Sequence, residues 1–164
     1  MKYFLNRMYF VILVLLLNAC TNTQYEKQQS VYIVFKTPSF KYADLGFMYQ
    51  KSNTLKIEIY GSGQPIMTLN VSEKKVCMSF LKCMNKKEFN TRILSHYYPD
   101  KMIENIFRGK SIFNGKNFIQ KRNSFTQNIQ EGNKYDIKYK VFKKEIQFRD
   151  TINNILIKVK RMGA

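Results

Sequence analysis

The alternation of apolar and polar residues along most of the chain is the feature that most constrains its fold. Leu55, Ile57 and Ile59 alternate with Lys56 and Glu58, so the apolar side chains share one face of an extended segment. Turn residues separate such runs, as expected for antiparallel strands joined by short hairpins. The same pattern predicts strands at residues 31–35, 43–49, 67–71, 76–80, 125–129, 135–141, 146–148 and 155–159.

Two of these stretches allow more detailed predictions. In the run 43–49, Leu45 and Phe47 are the larger apolar residues, so we predict that they lie on the buried face, with Gly46 and Met48 opposite. Asn114-Gly115 is a strong signal for a tight hairpin turn, here between short strands at 112–113 and 118.

The period of the pattern changes between Lys86 and Arg108. Apolar residues recur there at helical spacing, with Asn85 or Asn90 as N-cap, a break at Pro99 and a stop at Gly109. We predict two short helices, neither of them long or apolar enough to span a membrane, whose apolar stripes cover the sheet. The apolar positions are Phe89, Ile93, Leu94, Tyr97, Met102, Ile103, Ile106 and Phe107.

The predicted order is five strands, two helices and about five more strands. Two short helices cannot cover both faces of a ten-stranded curved sheet. The economical arrangement is a mainly β (α+β) fold, in which the sheet forms a half-open barrel and the helices form a lid over an apolar cavity. Residues 31–164 are enough for one such domain and too few for two.

The N-terminus carries the signs of an export signal. Lys2 and Arg7 precede an apolar run at residues 8–17, shorter than the roughly 18–20 residues that cross a bilayer. The run ends at Leu17-Asn18-Ala19-Cys20, which resembles the lipobox of bacterial lipoproteins, although Asn18 replaces the usual small or hydroxyl residue. The alternative is an ordinary secretory signal or an anchor helix with a chance cysteine.

The lipobox resemblance implies that Cys20 is lipidated and becomes the first residue of the mature protein. Residues 1–19 are then a signal peptide, and the polar segment 20–30 is predicted to be a flexible tether. Thr21 stands where an aspartate would signal retention in the inner membrane. The resemblance therefore implies a lipid anchor in the outer membrane, on its periplasmic face.

Cys77 and Cys83 are the two cysteines that remain after Cys20. An exported chain favours oxidation, and the spacing suits a staple across a hairpin end, so we predict a structural disulfide rather than free thiols. The pair does not resemble Cys-x-x-Cys, which argues against redox catalysis. With one histidine in the chain, no metal or other cofactor is expected.

The chain has a formal net charge of +17. In a cytosolic protein such a charge would first suggest nucleic acid. An exported, lipid-anchored chain meets anionic headgroups instead, so we expect a membrane partner and no nucleic acid. The alternative is that the lysines only keep the surface solvated, since they alternate with apolar residues along strands instead of forming one block.

The element order and the lipobox together resemble the outer-membrane lipoprotein receptor LolB and its soluble relative, the periplasmic carrier LolA. The resemblance rests on residues 35–59, including Gly46-Phe47, on the glycine-containing loop 59–63, and on the helical insert 89–109. It implies a monomeric, non-covalent lipid chaperone that accepts lipoproteins from a LolA-like carrier. The chaperone would shelter their acyl chains and insert them in the outer membrane.

The resemblance also implies roles for particular side chains. The acyl-cavity candidates are Phe35, Phe47, Ile57 and Leu69 on the sheet, with Ile103 and Phe107 on the lid; the alternative for each is ordinary core. The family's transfer loop carries an exposed leucine, whereas here Tyr60 and Ile66 are the nearest apolar candidates. The chain also lacks the family's tryptophans, and Phe107 stands where one would be expected.

Two other function classes are alternatives to this one. A lipid-anchored structural or interaction protein of the envelope, without transfer activity, would have a filled core instead of a cavity. An enzyme is not expected, because His96 is the chain's lone histidine and neither a nucleophile motif nor a carboxylate pair is present.

The replacement Cys20→Ala is expected to abolish acylation and signal cleavage together, because the cysteine sulfur is the acyl acceptor. Metabolic labelling with palmitate and the gel mobility of the product measure both effects, with Cys83→Ala as the matched control that keeps its label. An unprocessed product that still carries palmitate would contradict the cleavage site.

Overall fold

The computed structural model describes residues 26–79 and 81–163, so the predicted signal peptide and Cys20 lie outside the described residues. The described part contains eleven β-strands and two α-helices. The strands are β1 (Lys27–Lys36), β2 (Lys41–Gln50), β3 (Leu55–Gly61), β4 (Gln64–Val71), β5 (Lys75–Met78), β6 (Met84–Asn85), β7 (Phe118–Lys121), β8 (Ser124–Glu131), β9 (Tyr135–Phe142), β10 (Glu145–Asp150) and β11 (Ile155–Arg161). The helices are α1 (Lys86–Ile93) and α2 (Met102–Arg108).

All eleven strands belong to one antiparallel sheet, in the order β6-β5-β4-β3-β2-β1-β11-β10-β9-β8-β7. The six strands before the helices and the five after them are joined where β1 pairs with β11. Strands β6 and β7 are the two edge strands and do not pair with each other, so the sheet is not closed. The prediction of a mainly β fold with an open antiparallel sheet and two helices is confirmed.

Strand β1 begins earlier than the sequence pattern predicted. It starts at Lys27, so residues 27–30 belong to the sheet and not to a tether. The reason is pairing: β2 extends to Gln50, and Lys27 lies opposite that residue in an unbroken antiparallel register. A polar strand end that finds a full set of ladder hydrogen bonds needs no apolar pattern of its own.

The predicted buried face of β2 is wrong. Gly46 and Met48 are buried, whereas Leu45 is 52% exposed and Phe47 is half-buried on the outer face. The register explains the inversion, because Met48 lies opposite Ile57 and must share its concave face. The neighbouring strand, and not the bulk of the side chains in β2, decides which face is buried.

Both helices lie over the concave face and bury their apolar sides. The Asn85 side chain caps α1 by accepting a hydrogen bond from the Glu88 amide, as predicted for one of the two candidate caps. Gly109 ends α2 in the left-handed conformation, with φ of 66°. No helix in the described part of the chain combines the length and apolarity needed to cross a membrane. The buried residues of the helices are Lys86, Phe89, Asn90, Ile93, Met102, Ile103, Ile106 and Phe107.

The predicted hairpin at Asn114-Gly115 is also wrong. Residues Phe113–Gly115 form a short 3-10 turn, and the following strand begins only at Phe118. The buried Gln127 side chain on β8 accepts a hydrogen bond from the Ile112 amide at 2.9 Å and donates one to the Ile112 carbonyl at 3.0 Å. A side chain therefore replaces the strand partner that Ile112 would otherwise need.

The replacement Gly46→Ala is expected to destabilise the sheet by about 3 kcal/mol or more, because overpacking against a rigid backbone forces strands apart. A Cβ at this position would lie 2.0 Å from the Glu58 carbonyl oxygen on β3. Urea unfolding measures the change. Gly63→Ala is the matched control: no atom lies within 4 Å of its Cβ, and only the left-handed φ of 81° opposes it. Equal losses for the two variants would contradict the packing argument.

Candidate functional site

Five of the six cavity candidates meet on the concave side of the sheet. Phe35, Ile57 and Leu69 point inward from β1, β3 and β4 and are fully buried. Ile103 and Phe107 meet them from α2, and the Phe35 and Phe107 rings are 5.9 Å apart in an edge-to-face arrangement. The sixth candidate, Phe47, lies on the opposite face of the sheet. Its ring packs 5.6 Å from that of Tyr60, so it belongs to an outer aromatic cluster.

The apolar interior contains large buried side chains. The largest fully buried residues are Tyr139, Phe35, Phe89, Phe107 and Phe148, which come from both halves of the sheet and from both helices. Three grooves in the described part of the chain lie outside this interior, and none is lined by the five buried candidates. The two helices α1 and α2, whose apolar sides lie over this face, are here called the cover.

The candidate transfer loop is a tight turn between β3 and β4. Gly61 pairs with Gln64, which leaves Ser62 and Gly63 at the tip, both with positive φ. Tyr60 is half-buried, and its hydroxyl donates to Glu58 at 3.3 Å on the outer face. Ile66 is 38% exposed. Of the two candidates, Ile66 is the one that presents apolar surface to solvent.

Polar contacts fix the cover at the end of the sheet where α2 ends. The buried Tyr139 hydroxyl donates to the carbonyl groups of Lys110 at 3.0 Å and of Ile106 at 3.4 Å. Burial raises the pKa of this hydroxyl, which therefore stays a donor at any physiological pH. This contact joins the C-terminal end of α2 to β9.

An ion-pair chain links the two helices to each other and to the sheet. Lys86 on α1 contacts Glu104 on α2 at 3.0 Å, and Glu104 contacts Arg108 at 3.1 Å. Burial alone would raise the pKa of Glu104, but the hydrogen bonds and charges of Lys86 and Arg108 outweigh it and lower the pKa. Arg108 also donates to the carbonyl groups of Lys51 and Thr54 at 3.0 Å each, so the β2–β3 turn holds α2.

The connector between the helices is held at the opposite end of the sheet. The Tyr98 hydroxyl donates to the buried carboxylate of Asp150, which also accepts from the Asn153 side chain at 2.7 Å and the Asp136 amide at 3.2 Å. Burial, and then the hydrogen bond to Asp150, raises the pKa of Tyr98. Asn90 on α1 donates to the carbonyl groups of Tyr98 and of the next residue.

Sequence reasoning missed these polar anchors. Gln127, Tyr139 and Asp150 all occupy inward positions of their strands, where the alternation would place an apolar residue. A polar residue at a predicted core position was the available signal, because such a group must find a buried partner. Which irregular segment supplies that partner depends on the tertiary fold.

The two predicted disulfide cysteines are adjacent in the structure. The sulfur atoms of Cys77 and Cys83 are 2.07 Å apart, which is bonding distance, and they join β5 to the loop between β5 and β6. This loop and the end of α1 border an open groove of about 490 Å³, lined by Leu81, Lys82, Cys83, Met84, Glu88, Arg92 and Ile93. The side chain of His96 is exposed, and its ring centroid lies 3.8 Å from that of Tyr97.

Comparison with known proteins adds no family to this picture. No protein-family model matches the chain, and a search of curated proteins finds no match. Across residues 26–79 and 81–163, no three metal-ligating side chains come together. The site is therefore described by its geometry alone: an apolar concave face, an apolar cover, and polar anchors at both ends of the cover.

The replacement Tyr98→Phe is expected to destabilise the protein by about 1–3 kcal/mol, because Asp150 keeps its burial and loses a donor. Urea unfolding should show this loss of stability. In the same variant, hydrogen exchange of the backbone amides of α1 and α2 should become faster. Tyr97→Phe is the matched control. The Tyr97 side chain is 43% exposed, so this replacement should change the free energy of unfolding by no more than about 0.5 kcal/mol. Unchanged helix exchange in Tyr98→Phe would contradict the assigned anchor.

Proposed function

We propose that this chain is a lipid-anchored protein of the outer membrane, facing the periplasm, with a LolB-like role. It would accept lipoproteins from a LolA-like periplasmic carrier, shelter their acyl chains on its concave face, and release them into the outer membrane. The observation that carries the proposal is an open eleven-stranded antiparallel sheet whose apolar face is covered by two short helices. A closed barrel or a sheet packed on long helices would offer no such removable cover.

The energetics favour exchange of the cover for an acyl chain. Moving Ile103 and Phe107 off the sheet costs about 1.5–3 kcal/mol for each side chain that becomes exposed. An acyl chain of about sixteen carbons gains on the order of 10 kcal/mol when it is buried, at about 0.8 kcal/mol per CH₂ group. Burial of the guest can therefore offset the exposure of several cover side chains. Breaking the polar anchors adds to the free-energy cost of opening the cover.

The membrane-transfer step would need an apolar group that reaches the bilayer. Ile66 is the better candidate, since it is exposed near a tight turn, while the Tyr60 hydroxyl is bound to Glu58. A single isoleucine beside Pro65 offers less apolar surface than a loop that carries a protruding leucine. The uptake of acyl chains thus has broader support in this chain than their insertion.

A second candidate function rests on the burial of the apolar interior. Phe35, Ile57, Leu69 and the cover side chains are buried together, and none of the three grooves described above is lined by them, so the domain also suits a lipid-anchored interaction protein with a permanent core. In that case the cover never opens, and binding takes place on the outer surface. The two functions differ in one property, the exposure of the concave face during the working cycle.

A photo-crosslinking residue placed at Ile103 distinguishes the two functions in cells. Lipid transfer predicts cross-links from this buried position to other lipoproteins, through their acylated N-termini. The matched control is the same residue at Leu45, which is 52% exposed on the outer face and should give none of these products. Depletion of the protein should also strand lipoproteins in the inner membrane. Normal sorting without cross-links at Ile103 would rule out transfer and leave the interaction protein.

A further inference from the structure

A groove of about 370 Å³ opens where the end of α2 meets the ends of β8, β9 and β11. We call it the mouth groove and define it by Arg108, Phe125, Val141, Phe142, Lys143 and Arg161. None of the five buried cavity candidates lines it. Its lining combines a cationic side, taken here as Arg108, Lys143 and Arg161, with apolar residues and with the polar Gln120, Asn123 and Ser124.

The cationic side has an unmet hydrogen-bond donor. Arg161 donates through Nη1 to the Lys143 carbonyl at 2.8 Å, but its Nε is buried and has no acceptor within the described residues. Neither Arg161 nor the exposed Lys143 forms an ion pair with any described carboxylate. Arg108 also lines the groove, but its charge is paired with Glu104 and its donors are engaged. No Asp or Glu lines the groove.

The apolar side continues beyond the groove. Phe125 is half-buried, and its ring lies 4.8 Å from that of Phe118 on the neighbouring strand. Phe118 is 42% exposed, and Phe142 at the rim is 43% exposed. The Phe125 and Phe118 rings form a short apolar track that starts at the groove and runs onto the edge strand β7, whereas Phe142 lies on the other face of the sheet. Exposed apolar tracks of this kind mark binding sites more often than chance.

We propose that the mouth groove binds an anionic amphiphile, with its carboxylate or phosphate at Arg161 and Lys143 and its acyl chain along Phe125 and Phe118. The planar guanidinium of Arg161 suits carboxylate and phosphate, and Lys143 adds a second positive charge beside it. The chain supplies apolar cover for the phenylalanine track. This proposal does not rest on the transfer function, because an acylated cysteine carries no anionic headgroup.

The test uses the full chain in phosphatidylcholine vesicles and a fatty acid that carries a photoreactive diazirine on its tail. Cross-linked peptides, located by mass spectrometry, are expected to contain Phe118 or Phe125. The double variant Arg161→Gln and Lys143→Gln should reduce this labelling by roughly tenfold or more, the usual effect of losing charge-assisted hydrogen bonds. Lys138→Gln, a cation on the outer face of β9, is the matched control and should label normally.

Competitors identify the chemistry of the head and show that the tail is needed. Excess oleate or lysophosphatidylglycerol should abolish the labelling, and the stronger of the two identifies the preferred anion as carboxylate or phosphate. Competition by monoolein as strong as that by oleate would overturn recognition of the anion. Competition by inorganic phosphate alone would overturn the role of the acyl chain. Labelling at other peptides, or none at the groove, would overturn the site.

A folding control separates loss of binding from loss of structure. The variant Arg161→Lys keeps the charge and removes the Nε donor, and it should label at an intermediate level. Urea unfolding of each variant is compared with that of the unmodified chain. Reduced labelling in variants of unchanged stability supports the proposal, whereas reduction in strict proportion to lost stability overturns it.

Discussion

The pairing of β1 with β11 is the interaction on which the rest of the structure depends. Each half of the chain is a meander of neighbouring strands, and six residue pairs between Val31–Arg161 and Lys36–Leu156 join them into one sheet. This register aligns Ile33 with Val159, so the apolar faces of both halves continue into each other. Without it, α1 and α2 would have half a concave face to cover, and the large aromatic side chains would lack partners.

The polar anchors follow from the same geometry. An open sheet covered by short helices leaves irregular backbone at 94–101 and 110–117, and buried backbone groups there need partners. Gln127, Tyr139 and Asp150 provide these partners from the sheet, each reaching backbone or side-chain groups of a connecting segment. The apolar contacts hold the cover on the sheet, and these hydrogen bonds fix its position along the strands.

The sequence allowed the strands, the helical insert and their order to be predicted, because alternation and helical spacing are local signals. It misled where a neighbour decided the outcome. The face of β2 was set by Met48 opposite Ile57, and the Asn114 turn was changed by Gln127 from another strand. Five of six cavity candidates lie together for the simple reason that inward apolar positions share one core. The prediction for Phe47 was wrong because the buried face of β2 was wrong. The polar anchors were visible only as polar residues at inward positions, and nothing local in the sequence indicated their partners.

The connectivity of the cover suggests how it could open without unfolding the sheet. The start of α1 at Asn85 and the end of α2 at Gly109 both lie at the sheet end that includes Gln50, Arg161 and the β9–β10 turn. The connector lies at the other end, where Tyr98 meets Asp150. The two points where the chain enters and leaves the cover, here called its roots, are therefore at one end of the sheet. The connector between α1 and α2, here called its tip, lies at the other end and is held there by the Tyr98–Asp150 contact and by Asn90.

In the proposed function, release of the tip would expose the concave face while the roots stay in place. The Lys86–Glu104–Arg108 chain and the Tyr139 contacts lie near the roots, so they would resist sliding of the helices and still allow rotation about that end. The mouth groove also lies at the root end, where α2 joins the sheet and the displacement on opening would be smallest. An anionic amphiphile bound there would therefore not compete with a guest that enters under the tip.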